Sequence, residues 1–475
     1  MQYRFFFFLL LLASQLPAQI AINTNGSEPD SSAMLDIQST SKGLLTPRMT
    51  QSERNAIVSP ATGLMIYQTD AIPGFYYNEG TPTIPDWIRI GVGNELSGDP
   101  RVPIDSVAHF ANYGSVGYAS YVITEPGSYY LTKNVLSAQS GAFGIVIDAD
   151  NVVLDLNGYT IIGDRTTNPF SSPPTEAGGT GDGIHLEGAR KHITIKNGIV
   201  DSWAGSGIAG SACTRSSFYD LSIRNHGKHG LEIDDFNVVL RCAVFYCYLN
   251  GFDIGESCVL VHNTSGRNAG YGFRLASYNQ VTNCNAGRNG NDGFDLGNQS
   301  SIINCISTYN EASGIEGSIG ITIKGCIANN NWQAGFNLFS DASISGCTAS
   351  YNGTSLPRAT LDSTFFSGIV VGGNSGYVFN NQCVGNEYAG IAARFAGSQD
   401  SKIIGNMVIQ NELVGIYVKR DGGLVAKNYV AGTVNGPGYD FRGTTAHGPI
   451  IDVRGSGVGM SGLPNAVHPF ANFNN

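Results

Sequence analysis

The chain has 475 residues and a net charge of −10, and only 13% of its residues are charged, against about 25% in an ordinary soluble domain. An acidic, charge-poor surface excludes nucleic acid and anionic membrane as natural partners. Its 62 glycines, close to twice the usual share, call for many tight turns, and no segment sustains helical spacing.

The first residues, Met1-Gln2-Tyr3-Arg4, precede a strongly apolar run to Leu12 and then Ala13-Ser14-Gln15-Leu16-Pro17-Ala18. That is the layout of a secretory signal peptide over residues 1–18, cut after Ala18. The run is too short to span a bilayer, no later stretch is long enough, and no cysteine follows to carry a lipid. The expectation is a secreted or cell-surface protein. Residues 19–97 form a small N-terminal module: Thr46 to Arg54 leads into a short helix, while Gly63–Asp70 and Gly74–Asn78 read as strands. Gly91 to Pro103 is a polar linker. Residues 98–143 make linker and N-terminal cap, with Pro126-Gly127-Ser128-Tyr129-Tyr130-Leu131 as a lead-in coil.

From 144 to 446 the chain repeats. Gly230, Gly251, Gly272, Gly293, Gly314 and Gly335 recur every 21 residues, each followed by an alternating apolar-variable-apolar triplet. Gly144, Gly183 and Gly207 precede this strict region, and Gly368, Gly390, Gly415 and Gly438 follow it. A period in the twenties means stacked repeats, each too small to bury a face alone. The reading is an all-β parallel solenoid of about 21-residue coils with end caps. Phe252, Phe273, Phe294, Ile315 and Phe336 form the inward column, and Asn268, Asn289, Asn310, Asn331 and Asn352 an amide ladder. Each anchor glycine is expected to supply a turn with positive φ. The stretches 164–180 and 353–366 read as loops inserted at turns, and residues 447–475, with Ile450, Ile451, Val453, Phe470 and Phe473, as a capping tail.

Five of the nine cysteines share one register: Cys242, Cys284, Cys305, Cys326 and Cys347. Side chains in register point the same way, which fits disulfide torsion badly. They are read as buried thiols acting as small apolar core residues, with Cys242–Cys247 or Cys213–Cys258 as alternative pairings.

Residues 120–446 resemble the bacterial right-handed parallel β-helix proteins of the pectin-lyase-like superfamily. The phrases that carry the likeness are Asn151-Val152-Val153-Leu154-Asp155-Leu156-Asn157-Gly158, Lys196-Asn197-Gly198 and the repeated Asn-Cys-x-Ala-x-x-Asn-x-x-x-Gly form. The resemblance implies the fold and leaves activity open, because the superfamily includes lyases, hydrolases, epimerases, adhesins and tailspikes. The stretch from Ala18 to Ile90, through its Ser59-Pro60-Ala61-Thr62-Gly63-Leu64 run, resembles an N-terminal module common in exported Bacteroidota proteins. The polygalacturonase residue set, the Asp-Pro-His of alginate epimerases and the Arg-x-Pro-x-x-Arg of pectate lyases are absent. So are a Walker loop, a zincin pair and a Gly-x-Ser-x-Gly elbow.

Two outward columns carry chemistry. Two residues after each glycine stand Glu232, Asp253, Arg274, Asp295, Glu316 and Asn337. Arg274 between Asp253 and Asp295 is the candidate catalytic set, the arginine as base and the carboxylates holding calcium on a uronate, as in uronate lyases. The alternative is a salt-bridge ladder that stabilises the sheet. Glu232 and Glu316 extend the column as binding residues. The other column reads Tyr246, Arg267, Arg288, Tyr309, Asn330, Tyr351. There, neighbouring Arg267 and Arg288 would bind an anion and Tyr246 and Tyr309 would stack on sugar rings. The cluster of His226, Lys228, His229, Asp234 and Asp235 lacks metal-ligand spacing, and His226 is read as a structural turn residue. The combined expectation is an exported β-helix repeat protein that binds polysaccharide or serves a surface-structural role. A lyase-like enzyme on an acidic glycan and a tailspike-like adhesin are the alternatives. No cofactor is called for, calcium excepted.

Overall fold

A computed structural model describes residues 19–71, 73–90, 101–105, 111–113, 117–137, 139, 141–164, 181–354, 363–395, 401–419, 423–442, 445–452 and 471–474. The signal-peptide reading, most of the 164–180 insertion, and Val453 and Phe470 of the tail lie outside them. The chain divides into two compact units, Met1–Asp99 and Pro100–Asn475.

In the first unit Ile20–Ile22 pairs in parallel with Leu35–Ile37. A four-stranded sheet joins Arg48–Met49, Met65–Gln68, Gly74–Asn78 and Trp87–Arg89. The expected short helix is Gln51–Asn55, started by a capping box in which Thr50 Oγ1 accepts the Glu53 N–H at 3.2 Å and Glu53 Oε2 accepts the Thr50 N–H at 2.8 Å. Arg54 fixes the helix to the sheet, its guanidinium 4.7 Å from the Tyr76 ring centre and 5.7 Å from that of Trp87.

The second unit is the solenoid. One coil is three short strands, as in Phe252–Ile254, Val259–Val261 and Thr264–Gly266, and each pairs in parallel with its equivalent 21 residues on. The glycine-led strands build a 15-stranded sheet from Ala111–Tyr113 to Tyr439–Phe441. The lead-in coil is a rung as well: Gly127–Leu131 lies between Val102–Ile104 and Val152–Asp155. The tail adds final rungs, Ile450–Asp452 pairing with Asn472–Asn474. In the core the Phe252, Phe273 and Phe294 rings stack with centroids 4.5 and 4.7 Å apart and planes within 5°, matching the strand spacing of about 4.8 Å.

The anchor glycines do not have positive φ, contrary to the sequence expectation. Close approach requires them. A Cβ on Gly314 would sit 2.6 Å from the Gly335 carbonyl oxygen, 2.7 Å from Asn331 Nδ2 and 3.0 Å from Ala328 Cβ. The left-handed residues are elsewhere, at Arg241, His262, Asn283 and Asn304 after the second strand and at Tyr246, Arg267, Arg288 and Tyr309 after the third. Each costs about 1–2 kcal/mol, and the ladder that follows offsets it.

The reading of the cysteines as buried free thiols holds, and the ladder adds to it. All nine are free and buried, so neither alternative disulfide forms. They are also more than apolar filler. In one inward column Cys242 N–H donates to Asn263 Oδ1 (2.8 Å), and Asn263 N–H to Cys284 Sγ (3.3 Å). Cys284, Cys305 and Cys326 then donate in turn to the next sulfur at 3.3–3.4 Å. Cys347 N–H returns the column to amides at Asn381 (2.9 Å). Cysteine and asparagine are interchangeable there because both accept a backbone N–H that would otherwise be buried without a partner. In the parallel amide ladder each of Asn289, Asn310 and Asn331 receives both the N–H and the Nδ2 of the asparagine before it. His226 belongs to this column as read. It is fully buried, its Nδ1 accepting from Trp203 N–H at 3.4 Å and its Nε2 3.2 Å from the Val200 carbonyl.

Candidate functional site

The outer face of the 15-stranded sheet changes character along its length. At one end Ala119, Phe143 and Val146 are buried on it. At the other Val370, Ala389, Ala392 and Val414 are buried beneath Tyr388, Leu413 and Tyr417. Between them, from Glu232 to Asn337, the outward positions are polar. Register places Glu232, Asp253, Arg274, Asp295, Glu316 and Asn337 directly beside one another, as the spacing predicted. His229, Glu232, Asp253, Arg274 and Asp295 line one cleft of about 630 Å³, whose side wall is the turn carrying Gly255, Ala276 and Gly297. None of the described residues of the 164–180 and 353–366 insertions lines it.

A companion column, one residue before each glycine, escaped the sequence reading: His229, Asn250, Tyr271, Asp292 and Ser313. Its signal was available as the same 21-residue period, hidden by five different residue types. It orients the first column. Asp253 Oδ2 accepts from Asn250 Nδ2 at 2.8 Å and lies 3.4 Å from His229 Nδ1 and 3.5 Å from Arg274 Nη1. Glu316 Oε2 accepts from Asn337 Nδ2 at 2.9 Å, and Glu232 Oε2 from Ser206 Oγ at 3.2 Å. Asp292 Oδ1 accepts the Ser313 N–H at 2.6 Å.

Asp292 and Asp295 resist ionisation. Burial, reinforced by the charge of Glu316, pushes Asp295 up to about 6 and Asp292 up to about 8. Both therefore hold protons in ranges where an ordinary aspartate has none. Arg274 stands beside Asp253 as a fixed cation; a guanidinium makes a poor base. Among the described residues no three His, Cys, Asp or Glu side chains converge to hold a metal ion.

The second predicted column differs from its expectation. Arg267 and Arg288 follow successive rungs but diverge. Arg267 Nη1 donates to Tyr246 Oη at 3.2 Å with its guanidinium 5.7 Å from that ring centre, while Arg288 lies 5.0 Å over Tyr309. Each tyrosine gives one face to an arginine, so the rings meant for a sugar are partly taken.

Residues 216–352 match the family described as right handed beta helix region, and residues 21–99 match the phage tail like trimerisation region. No match is found among curated protein sequences. Solved structures with similarity include the A-module of Azotobacter vinelandii mannuronan C-5 epimerase AlgE4, at 15% identity over 67% of this chain and 88% of that one, with a TM-score of 0.42. Pectate lyase Pel9A is 16% identical over 66% of this chain and 71% of its own, with a TM-score of 0.27. The Dettilon tailspike protein is 15% identical over 69% and 61%, with a TM-score of 0.35. The parallel three-strand coils, their register and the matched repeat region give one conclusion: the second unit has the right-handed parallel β-helix fold.

Proposed function

We propose that this chain is an exported, trimeric β-helix protein that binds polysaccharide along the polar face of its glycine-led sheet. The observation that carries the reading is the contrast on that face, where covered apolar ends flank successive polar rungs lining an open cleft. A column repeating every 4.8 Å or so suits a ligand that is itself a repeating chain. Glu232, Asp253 and Asp295 outnumber Arg274, so the cleft favours neutral sugars whose hydroxyls donate to carboxylates, and disfavours a bare polyanion.

Trimer assembly rests on the first unit. It matches a trimerisation region and leaves Met34, Leu35, Leu44, Leu45, Val58 and Ile84 exposed. Apolar side chains in that density are economically covered by further copies of the same surface. Light scattering of the full chain should then give three times the 50.3 kDa chain mass; a monomer would remove this limb.

A second reading, cleavage of the bound glycan, is supported by Asp295. A carboxyl that keeps its proton up to about 6 beside ionisable Glu316 has the makings of a general acid. One experiment separates the readings. The full chain is incubated with a panel of neutral and acidic polysaccharides, followed by co-elution and product sizing. Neutral polysaccharide that co-elutes intact supports binding, shortened chains that persist in wild type and vanish in Asp295→Asn support cleavage, and the absence of both defeats the proposal.

A further inference from the structure

The outer face of the third-strand ladder holds a second concave surface, independent of the acidic cleft. Phe245, Gly266, Gly287 and Thr308 occupy successive rungs in register. The two glycines leave a depression of about 450 Å³ lined by Phe245, Thr264, Asn285, Ile306, Arg267 and Arg288. Gly287 is unlike the anchor glycines. Its φ is not positive, and a Cβ there would meet nothing nearer than Thr308 atoms at 3.4 Å, which is ordinary contact. Neither backbone conformation nor packing asks for glycine at 287. A bare strand residue that the fold does not require is a place where a ligand can approach the backbone.

The charge beside the depression is equally unspent. Arg267 and Arg288 have no carboxylate partner among the described residues, whereas Arg224, one rung before Phe245, is paired with Asp201 at 2.9 Å. Contacts with Tyr246 and Tyr309 hold the two guanidiniums on either side of the glycine floor without neutralising them.

We propose that this depression binds an acidic glycan, with the C–H face of one pyranose on Gly287 and the Phe245 ring and with Arg267 and Arg288 each taking an anionic group at its own end of the floor. Thr264, Asn285 and Thr308 supply hydrogen-bond partners for ring hydroxyls. The anionic group is a carboxylate or a sulfate, to either of which a guanidinium donates. The polyanion that the acidic cleft disfavours thus has its own place on another face of the coil.

The test is calorimetric titration of the full chain with oligogalacturonate, with a heparin-derived oligosaccharide and with a neutral dextran oligosaccharide, at low and high salt. Binding of at least one anionic probe, weakened by salt, is expected, and which probe binds names the anion. Arg267→Gln/Arg288→Gln should weaken it by about tenfold or more. Gly287→Val fills the depression at an unstrained position, keeps both charges and should weaken it comparably. Glu232→Gln/Asp253→Asn should leave anionic binding unchanged, which keeps this result separate from the neutral-glycan reading. Failure of both anionic probes to bind wild type overturns the proposal. So does unchanged binding in Gly287→Val, which would mean diffuse charge attraction.

Discussion

Asp292 allows the physical account to be tested without any ligand. Its Oδ1 accepts the Ser313 N–H, and two coils earlier Asn250 Oδ1 accepts the Tyr271 N–H in the same way at 3.1 Å. Asp292→Asn should therefore keep the hydrogen bond and remove only the ionisation. Moving a carboxyl from 3.8 to about 8 corresponds to an upper bound of about 6 kcal/mol, at about 1.4 kcal/mol per pH unit. Below the ordinary aspartate range both folded and unfolded chains carry the proton, so the native preference for protonated Asp292 is fully present. As pH rises towards about 8 the unfolded chain has released that proton and the native one has not, so stability falls. Water penetration reduces the bound to a few kcal/mol in practice. Urea unfolding between about pH 5 and about pH 8.5 should show wild type losing stability, while Asp292→Asn loses much less. Asp295 leaves a residual slope in both proteins up to about 6. Parallel losses across the whole range would refute the claim that a buried carboxyl sits at this position.

Other substitutions probe the coil. Gly314→Ala drives a methyl into Gly335 O and Asn331 Nδ2 and should cost about 3 kcal/mol or more in chemical denaturation; a neutral result would return the anchors to a conformational explanation. Asn310→Ala strips the acceptor from both the N–H and the Nδ2 of Asn289, and a loss of about 3 kcal/mol is expected from two orphaned buried donors. Burial pushes the Cys213 thiol up to about 11 and those of Cys242 and Cys258 up to about 12. A thiol reagent should find none of the nine cysteines in the native protein and all nine once it is unfolded, so prompt native labelling would contradict the ladder.

Register was legible in the sequence because a strict 21-residue period leaves no freedom in which residues become neighbours. Arg274 had to fall between Asp253 and Asp295. The reasons behind the period were less legible. A glycine needed for positive φ and one needed for close approach look identical in a sequence; only the position of Gly335 O and Asn331 Nδ2 tells them apart. Cysteine as a backbone acceptor became visible when Asn263 and Asn381 appeared in the same column as Cys284 and Cys347. The companion column failed to register because His229, Asn250, Tyr271 and Asp292 share a position and no chemical type. The divergence of Arg267 and Arg288 depends on side-chain direction, which periodicity does not encode.

The central claim is that the polar face of the glycine-led sheet holds a glycan, and paired binding isotherms test it most directly. The neutral polysaccharide retained best by wild type would be titrated into wild type and into Glu232→Gln/Asp253→Asn, after matched melting curves confirm that both are folded. The account predicts at least about a tenfold loss of affinity in the variant, because two hydroxyl-accepting carboxylates on adjacent rungs are gone. Equal affinity in the two proteins, or no neutral polysaccharide bound by wild type, would contradict it.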